Sequence, residues 1–224
     1  MADSQSSWDD VDRYLIDTLV GEDEALAAAR ASSRDTTAPG IEVTANQGRL
    51  LGMLVELIGA KRVLEFGTLA GYSTIWMARA AGDGGVVTSL ELEEQNAAIA
   101  RANAERAGVG DRVDIVVGPA RSSAQALVDA AVEPYDFAFI DADKQSTPEY
   151  LRLVLQLTHP GSVIVIDNVV REGSVVEADS VDEQVQGMRA ALAAIAANPA
   201  LEATALQTVG LKGWDGFAVI RRLS

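Results

Sequence analysis

Three side chains with oxygen donor atoms follow two predicted β-strands. Asp141 ends one strand, Asp167 ends the next strand along the chain, and Asn168 comes directly after it. If these strands are parallel neighbours, their tips lie side by side and the three side chains converge. Two carboxylates and one amide form a hard donor set that suits Mg²⁺, with water and substrate completing the octahedron. The alternative is that the acids are ordinary helix N-caps, which explains Asp141 or Asp143 more easily than Asp167.

Two other side chains could take part in proton transfer. Lys144 lies one short turn beyond Asp141, and a lysine beside a dication and a buried substrate can have its pKa lowered enough to act as a base. On the sequence alone, a solvated lysine is the simpler interpretation. His159, the single histidine, precedes Pro160 in a predicted loop, and we expect it to be structural.

A glycine-containing segment joins the first predicted strand to the helix that follows. Gly67 and Gly71 allow tight turning and close approach of a ligand, but their spacing is not that of a dinucleotide-binding turn. An acid at Glu65 would crowd a pyrophosphate and would suit a cationic group. Glu91 ends the next strand, where a carboxylate can accept both hydroxyls of a ribose. The pattern indicates a nucleoside ligand without a pyrophosphate, unless the glycines only build a turn and Glu91 is a solvated cap.

These positions belong to a regular alternation of short apolar segments and alanine-rich segments. Strands are predicted at residues 62–66, 86–91, 113–117, 137–141 and 163–167. Helices are predicted at residues 72–80, 93–107, 120–130, 148–157 and 181–197. Continuous apolar strands alternating with helices indicate an α/β fold with a doubly wound, mostly parallel sheet covered by helices on both faces. Two last segments, 201–209 and 217–222, are expected to add antiparallel strands at one edge, which makes seven strands.

The first forty residues follow a different pattern. Ser7 and Asp10 resemble a helix-capping pair, after which Val11, Leu15, Leu19 and Val20 fall on one helical face. A second helix is predicted from about residue 22 to 30, and a third after Thr44. We therefore expect one domain over residues 1–224, with a helical extension at 1–40 and a Rossmann-like core at 41–224.

Composition excludes several classes of protein. The 224 residues are 48% hydrophobic and carry a net charge of −15, which disfavours nucleic acid as a partner. No apolar run is long enough to span a membrane, and the start of the chain lacks the features of a signal peptide, so we expect a cytoplasmic protein. The absence of cysteine rules out disulfides, zinc–thiolate sites and thiol nucleophiles.

Taken together, the motifs resemble those of a known family. They are LEFGT at 64–68, GYS at 71–73, Glu91, FIDADK at 139–144, IDNV at 166–169 and GWDGF at 213–217. The chain is similar, over roughly residues 40–222, to class I, S-adenosylmethionine (SAM)-dependent and cation-dependent O-methyltransferases of the catechol and caffeoyl-CoA group, in a small bacterial form. One departure is Arg171, which stands where plant members usually have an aromatic residue.

The resemblance implies a function and a role for each matching residue. SAM would methylate one hydroxyl of a catechol-like small molecule, and Asp141, Asp167 and Asn168 would hold Mg²⁺ or another divalent cation. Lys144 would be the general base, with Asp141 beside it in the catalytic set. The cofactor would contact Val43, Glu65, Gly67, Thr68, Ser73, Glu91, Leu92, Ala120 and Asp141. The family also implies a homodimer, and it implies neither a nucleic-acid nor a membrane partner.

Such a site needs a cation, a base and a fixed geometry, because a phenol with a pKa of about 10 is a weak nucleophile. Two other functions are considered: a NAD-dependent oxidoreductase on a similar sheet, and a non-catalytic SAM-binding module. The absence of a dinucleotide fingerprint counts against the first alternative. The complete set of Asp141, Lys144, Asp167 and Asn168 counts against the second. The irregular residues 170–181 are expected to form either a lid or a plain connection.

Overall fold

A computed structural model describes residues 4–224; residues 1–3 of the predicted extension lie outside the described part. Its central element is a seven-stranded sheet in the order β3-β2-β1-β4-β5-β7-β6. The strands are β1 Arg62–Phe66, β2 Val86–Glu91, β3 Val113–Val117, β4 Tyr135–Ile140, β5 Thr158–Asp167, β6 Leu201–Gly210 and β7 Gly213–Arg222. Strands β1 to β5 are parallel, and β7 runs antiparallel to both β5 and β6. The predicted seven-stranded, mostly parallel sheet is confirmed.

The helices precede the sheet or connect its strands. They are α1 Ser4–Leu15, α2 Glu24–Ser32, α3 Ala45–Leu57, α4 Tyr72–Ala81, α5 Glu94–Arg106, α6 Ala120–Asp129, α7 Thr147–Leu157 and α8 Glu183–Ala196. Within residues 4–224, none of these helices combines the length and the apolar character needed to cross a bilayer.

Alternation along the buried strands places a hydrophobic core on each face of the sheet. On β4, Phe137 and Phe139 pack on the side of α3 and α4, while Ala138 and Ile140 pack on the side of α7. Because successive side chains point to opposite faces, strands with both faces covered must be apolar at nearly every position. This is why these strands could be predicted as continuous apolar runs. Strand order reverses between β1 and β4, which opens a crevice at their carboxyl ends.

Most predicted boundaries agree with the structure to within two residues, but β5 and β7 begin earlier than predicted. β7 begins at Gly213, four residues before the predicted start at residue 217. β4 begins at Tyr135 and ends at Ile140, so Asp141 lies just beyond the strand. β5 begins at Thr158, five residues before the prediction. His159 and Pro160 interrupt the apolar pattern there, yet Thr158 still pairs with Tyr135 across a register shift.

The N-terminal predictions are partly wrong. Ser7 does not cap a helix, because α1 extends a further turn and contains it. The predicted apolar face is also broken, since α1 ends at Leu15 and the chain continues as a wider π-helical turn over Ile16–Val20. As a result, Val20 packs against the core, whereas Val11 and Leu19 are 55% and 73% exposed.

Candidate active site

The turn between β1 and α4 forms one wall of a cavity of about 800 Å³ at the carboxyl ends of the strands. Gly67 has φ 93° and Gly71 has φ 79°, a conformation that side-chain-bearing residues rarely adopt. A Cβ on Gly67 would lie 2.3 Å from the carbonyl oxygen of Asp141. The glycine therefore lets the loop approach the tip of β4 closely, which brings the two predicted halves of the site together.

Glu65 lies behind this loop rather than on the cavity surface. It is fully buried on the same face of β1 as Val63, and its carboxylate accepts hydrogen bonds from the hydroxyls of Ser73 (2.5 Å), Thr74 (2.5 Å) and Ser89 (2.6 Å). Burial raises the pKa of Glu65 to about 7, the charge of Asp141 adds to this, and the three hydroxyls oppose it. Glu65 lines neither of the two cavities described here, so its oxygens fix β1, β2 and α4 to one another.

Glu91, at the end of β2, lines the cavity and is almost fully buried. One carboxylate oxygen accepts from the backbone N–H groups of Thr68 (3.1 Å) and Leu69 (2.8 Å). The other accepts from the N–H of Glu93 (3.0 Å) and from Nδ2 of Asn96 (3.2 Å). Glu91 thus holds the glycine loop in place and also presents a carboxylate to the cavity at the predicted ribose position.

The other predicted cofactor residues have different degrees of exposure. Gly67, Thr68, Ser73 and Ala120 line the first cavity together with Leu92, which is 61% exposed. Val43 is buried and comes from the segment that precedes α3. It lines both the first cavity and a second one of about 480 Å³.

A link between α5 and the N-terminal segment was not predicted. Asn96 donates to Thr37 Oγ1 (3.0 Å), and the backbone N–H of Thr37 donates to Asn96 Oδ1 (3.0 Å). Both residues line the cavity, as do Ala38, Ile41 and Glu42. Part of the predicted extension therefore covers the cavity. This contact could not be predicted, because residues 35–40 have the composition of a plain turn.

Asp141, Lys144 and Asp167 meet at the tips of β4 and β5. Lys144 Nζ lies 2.6 Å from Asp141 Oδ1, and its side chain is only 11% exposed, so it is not the solvated lysine of the simpler interpretation. Burial raises the pKa of Asp167 to about 7; the charge of Asp141 adds to this and that of Lys144 opposes it. Two acids that repel each other in a buried position form a site where a cation would be favourable.

Asn168 follows Asp167 with a backbone φ of 56°. Its Nδ2 donates to Asp215 Oδ2 (3.2 Å) on β7, which leaves its carbonyl oxygen for another partner. The same Asp215 accepts from the backbone N–H groups of Val170 and Arg171, both at 3.1 Å. Asp215 belongs to the GWDGF motif at 213–217, but its contact with a predicted metal ligand could not be read from the sequence.

The N-cap alternative does not describe these acids well. Asp143 makes no capping hydrogen bond and instead accepts from the hydroxyl of Tyr150. Asp167 Oδ1 accepts the N–H of Asn168, with no regular helix following. Among the described residues, no group of three or more His, Cys, Asp or Glu side chains is arranged as a metal site; the predicted set contains two carboxylates and an amide.

His159 lies at the start of β5, at the end of the sheet remote from these strand tips. Its Nε2 is 3.0 Å from Asp136 Oδ1, and this hydrogen bond raises its pKa. Asp136 also accepts from the N–H groups of Lys61 and Arg62. The histidine therefore joins the beginnings of β1, β4 and β5, which is a structural arrangement.

Comparison with known proteins identifies the family. The model of a family described as O-methyltransferase matches residues 17–223. This chain belongs to the O-methyltransferase family. The resemblance inferred from the sequence motifs is thereby confirmed, and the NAD-dependent oxidoreductase alternative is set aside.

Individual members of the family align over nearly the whole chain. A catechol O-methyltransferase of Mycobacterium tuberculosis is 49% identical over 217 residues, which covers 97% of each protein. A catechol O-methyltransferase of Niastella koreensis is 45% identical and covers 95% of this chain and 96% of its own. The crystal structure of an O-methyltransferase from Bacillus cereus in complex with SAH has a TM-score of 0.94 and 46% identity, covering 97% of this chain and 99% of that one.

Proposed function

We propose that this enzyme transfers a methyl group from SAM to one hydroxyl of a catechol-like small molecule, with the help of a divalent cation. The observation that carries the proposal is the convergence of Asp141, Lys144, Asp167 and Asn168 beside a cavity with a glycine-rich wall. Relatives named catechol O-methyltransferase support the acceptor class. The SAH complex of the Bacillus cereus protein supports the cofactor.

In this proposal the first cavity holds the cofactor. Glu91 accepts the ribose hydroxyls, Leu92 and Ala120 flank the adenine, and Val43 with the loop from Gly67 to Ser73 surrounds the methionine part. Glu65 is reassigned from a direct contact to a positioning residue, because its oxygens are occupied by three hydroxyls behind the loop. Asp141 remains in contact with the cofactor side, since it lines the same cavity.

The residues present fit a hard divalent cation. Asp141 and Asp167 supply two carboxylates; burial raises the pKa of Asp167, and the charge of Asp141 adds to this. Asn168 supplies a carbonyl oxygen, because its amide nitrogen is engaged by Asp215. A ligand set made only of oxygens favours Mg²⁺ or a similar ion over metals that prefer nitrogen or sulfur. A cation bound there would lower the pKa of an acceptor hydroxyl and offset the negative charge of the two acids.

The chain's own residues then have three tasks. Asp167 and Asn168 fix the acceptor side at the tip of β5, while the glycine loop and Glu91 fix the cofactor side. This arrangement holds the attacking oxygen in line with the methyl group and the sulfonium, since the transfer is a direct displacement at carbon. Lys144, whose Nζ is 2.6 Å from Asp141, must first release its own proton to solvent, and its neutral amine then takes the proton of the acceptor hydroxyl. The neutral sulfide leaves without acid assistance.

We also propose that residues 1–224 act as one domain and assemble as a homodimer. α1 lies alongside β6, and Asp12 accepts the N–H of Leu211 (2.9 Å). Both elements carry exposed apolar side chains, including Tyr14 (68% exposed) and Leu206 (56%). Exposed apolar surface of this kind is typical of an interface. Light scattering of the wild type and of a Tyr14→Asp variant tests the dimer. The cytoplasmic location stays a prediction from the sequence.

A methylation assay tests the proposed function. Labelled SAM is incubated with a neutral catechol, with Mg²⁺ or with excess EDTA, and the product is analysed for an O-methyl group. We expect transfer with Mg²⁺ and none with EDTA. Undiminished transfer in EDTA would remove the cation from the proposal, and no transfer to any vicinal diol would remove the acceptor class.

A further inference from the structure

Arg171 is held in an unusual backbone conformation beside the proposed cation site. Arg171 and Glu172 have φ values of 55° and 53°, in the left-handed region, and Gly173 follows with φ 90°. Asp215 accepts the N–H of Arg171, and a Cβ on Gly173 would lie 2.7 Å from the ring of Trp214. Strained backbone persists only where its surroundings enforce it, and here β7 supplies both contacts. The turn is therefore a fixed support for the Arg171 side chain.

The guanidinium of Arg171 has few partners within the described part of the chain. One terminal nitrogen donates to the neutral amide oxygen of Gln184 (3.0 Å). Nε is buried and makes no hydrogen bond to any described residue. A buried donor without an acceptor is unfavourable, and a bound anion would relieve it. In a chain with a net charge of −15, an arginine beside this site that pairs with no described carboxylate needs an explanation.

A second arginine on the same cavity provides a contrast. Arg121 also lines the first cavity, but its Nε lies 3.4 Å from Glu149, and its side chain is 73% exposed. Arg121 thus has an acidic partner from the chain itself. Arg171 does not, although it is the less exposed of the two.

The position of Arg171 determines which ligand it can meet. Arg171 and Asn168 both line the first cavity and the second one, so they stand where the two cavities meet. A molecule held near Asn168 therefore lies on the same wall as the guanidinium. The acids nearby, Asp141, Asp143 and Asp167, disfavour an anionic molecule unless a cation faces its charge.

We propose that Arg171 makes the enzyme selective for acceptors that carry a carboxylate in addition to the vicinal hydroxyls. The guanidinium donates charge-assisted hydrogen bonds to that carboxylate while the hydroxyls face Asp167 and Asn168. The inference rests on the proposed function and names the acceptor class within it.

Matched acids and amides test this selectivity. The acceptors are 3,4-dihydroxybenzoate, 3,4-dihydroxyphenylacetate and 3,4-dihydroxycinnamate, each paired with its primary amide, which has nearly the same shape and no charge. For each pair, kcat/KM is measured with Mg²⁺ and SAM. Dissociation constants are measured by calorimetry in the presence of Mg²⁺ and SAH, so that binding is observed apart from turnover.

We expect the wild type to prefer the acid of at least one pair by about 10- to 100-fold, as for other hydrogen bonds to a charged group. The three acids differ in the spacing between carboxylate and hydroxyls. The acid with the largest preference therefore indicates the distance between the guanidinium and the reacting hydroxyl. In Arg171→Gln the preference should fall to near one, because kcat/KM for the acid drops to the level of the amide while kcat/KM for the amide stays the same. Arg171→Lys should keep part of it, and Arg121→Gln, the control, should keep all of it.

Other results would distinguish failure of the proposed selectivity from failure of the proposed function. Equal kcat/KM and equal affinity for acids and amides in the wild type would overturn the inference and leave the proposed function intact. A preference that survives unchanged in folded Arg171→Gln would also overturn it. If Arg171→Gln fails to fold, Arg171→Lys decides: a reduced preference supports the inference, and an unchanged preference overturns the role of the guanidinium. Failure to methylate any acid or amide would contradict the proposed function itself.

Discussion

The two halves of the active site treat their acids in opposite ways. At the tips of β1 and β2, Glu65 and Glu91 are surrounded by hydroxyl and N–H donors from the chain itself. At the tips of β4 and β5, Asp141 and Asp167 face each other, with Lys144 as the cationic partner of Asp141. In the first half, the folded protein itself supplies hydrogen-bond donors to both carboxylates. The second half has an excess of negative charge, which a ligand can neutralise.

The strongest test of this comparison is Asp167→Asn. Loss of a carboxylate from the proposed cation site should reduce turnover with Mg²⁺ by about 10³-fold, equivalent to several kcal/mol. The same change should raise the melting temperature in EDTA at pH 8. The pKa of Asp167 is raised to about 7, so its ionisation weakens the fold as the pH rises through that value, and asparagine removes this loss.

A methyl-transfer assay measures the effect of Asp167→Asn on turnover. Thermal melting in EDTA at pH 4 and pH 8 measures its effect on stability. At pH 4 the gain in stability should nearly disappear, because Asp167 is then protonated in the folded protein. A variant that is destabilised equally at both pH values, or that keeps full turnover, would break the proposed difference between the two halves.

Lys144→Ala should have the next largest effect. A lost general base lowers kcat by about 10²-fold or more, while the affinity for SAM, which the other half holds, should not change. Steady-state kinetics with a catechol acceptor measure kcat, and calorimetry measures the affinity for SAM separately. An effect confined to KM would make Lys144 a substrate-binding residue instead.

Glu91→Ala changes the half of the site at the tips of β1 and β2. The affinity for SAM should fall by about 10- to 100-fold as hydrogen bonds to a charged group are lost, and stability should fall too, since the N–H groups of Thr68 and Leu69 lose their acceptor. Calorimetry and thermal melting measure the two effects. Glu93→Gln, on the same loop but without a capping hydrogen bond, is the control. Unchanged affinity for SAM in Glu91→Ala would contradict the ribose role.

Glu65→Gln should have the smallest effect on turnover. Because burial raises the pKa of Glu65 from 4.5 to about 7, the wild type loses folding free energy as the pH rises between these values. Glutamine does not ionise, so the variant should gain stability relative to the wild type over the same range. Urea unfolding at pH 4.5 and pH 8 measures the difference, with Glu133→Gln, an exposed site, as the control. A constant difference across the range would show that the pKa of Glu65 is not raised in the folded protein.

The sequence predicted the sheet well and the contacts within the site less well. Strand tips could be located because buried strands are apolar and end in acids, and this was enough to bring Asp141 and Asp167 together. The position of Glu65 behind its loop could not be predicted, since the residue that precedes a glycine turn can face either side. Contacts such as Thr37–Asn96 and Asn168–Asp215 join distant parts of the chain, and only tertiary packing determines them.

The left-handed backbone of Asn168 restricts how this position can vary in evolution. Asparagine, aspartate and glycine adopt a φ near 56° with little strain. Of these, only asparagine and aspartate bring a side-chain oxygen. An exchange of asparagine for aspartate would therefore keep the backbone and a side-chain oxygen but lose the hydrogen bond to Asp215, whereas a β-branched residue such as threonine would strain the turn.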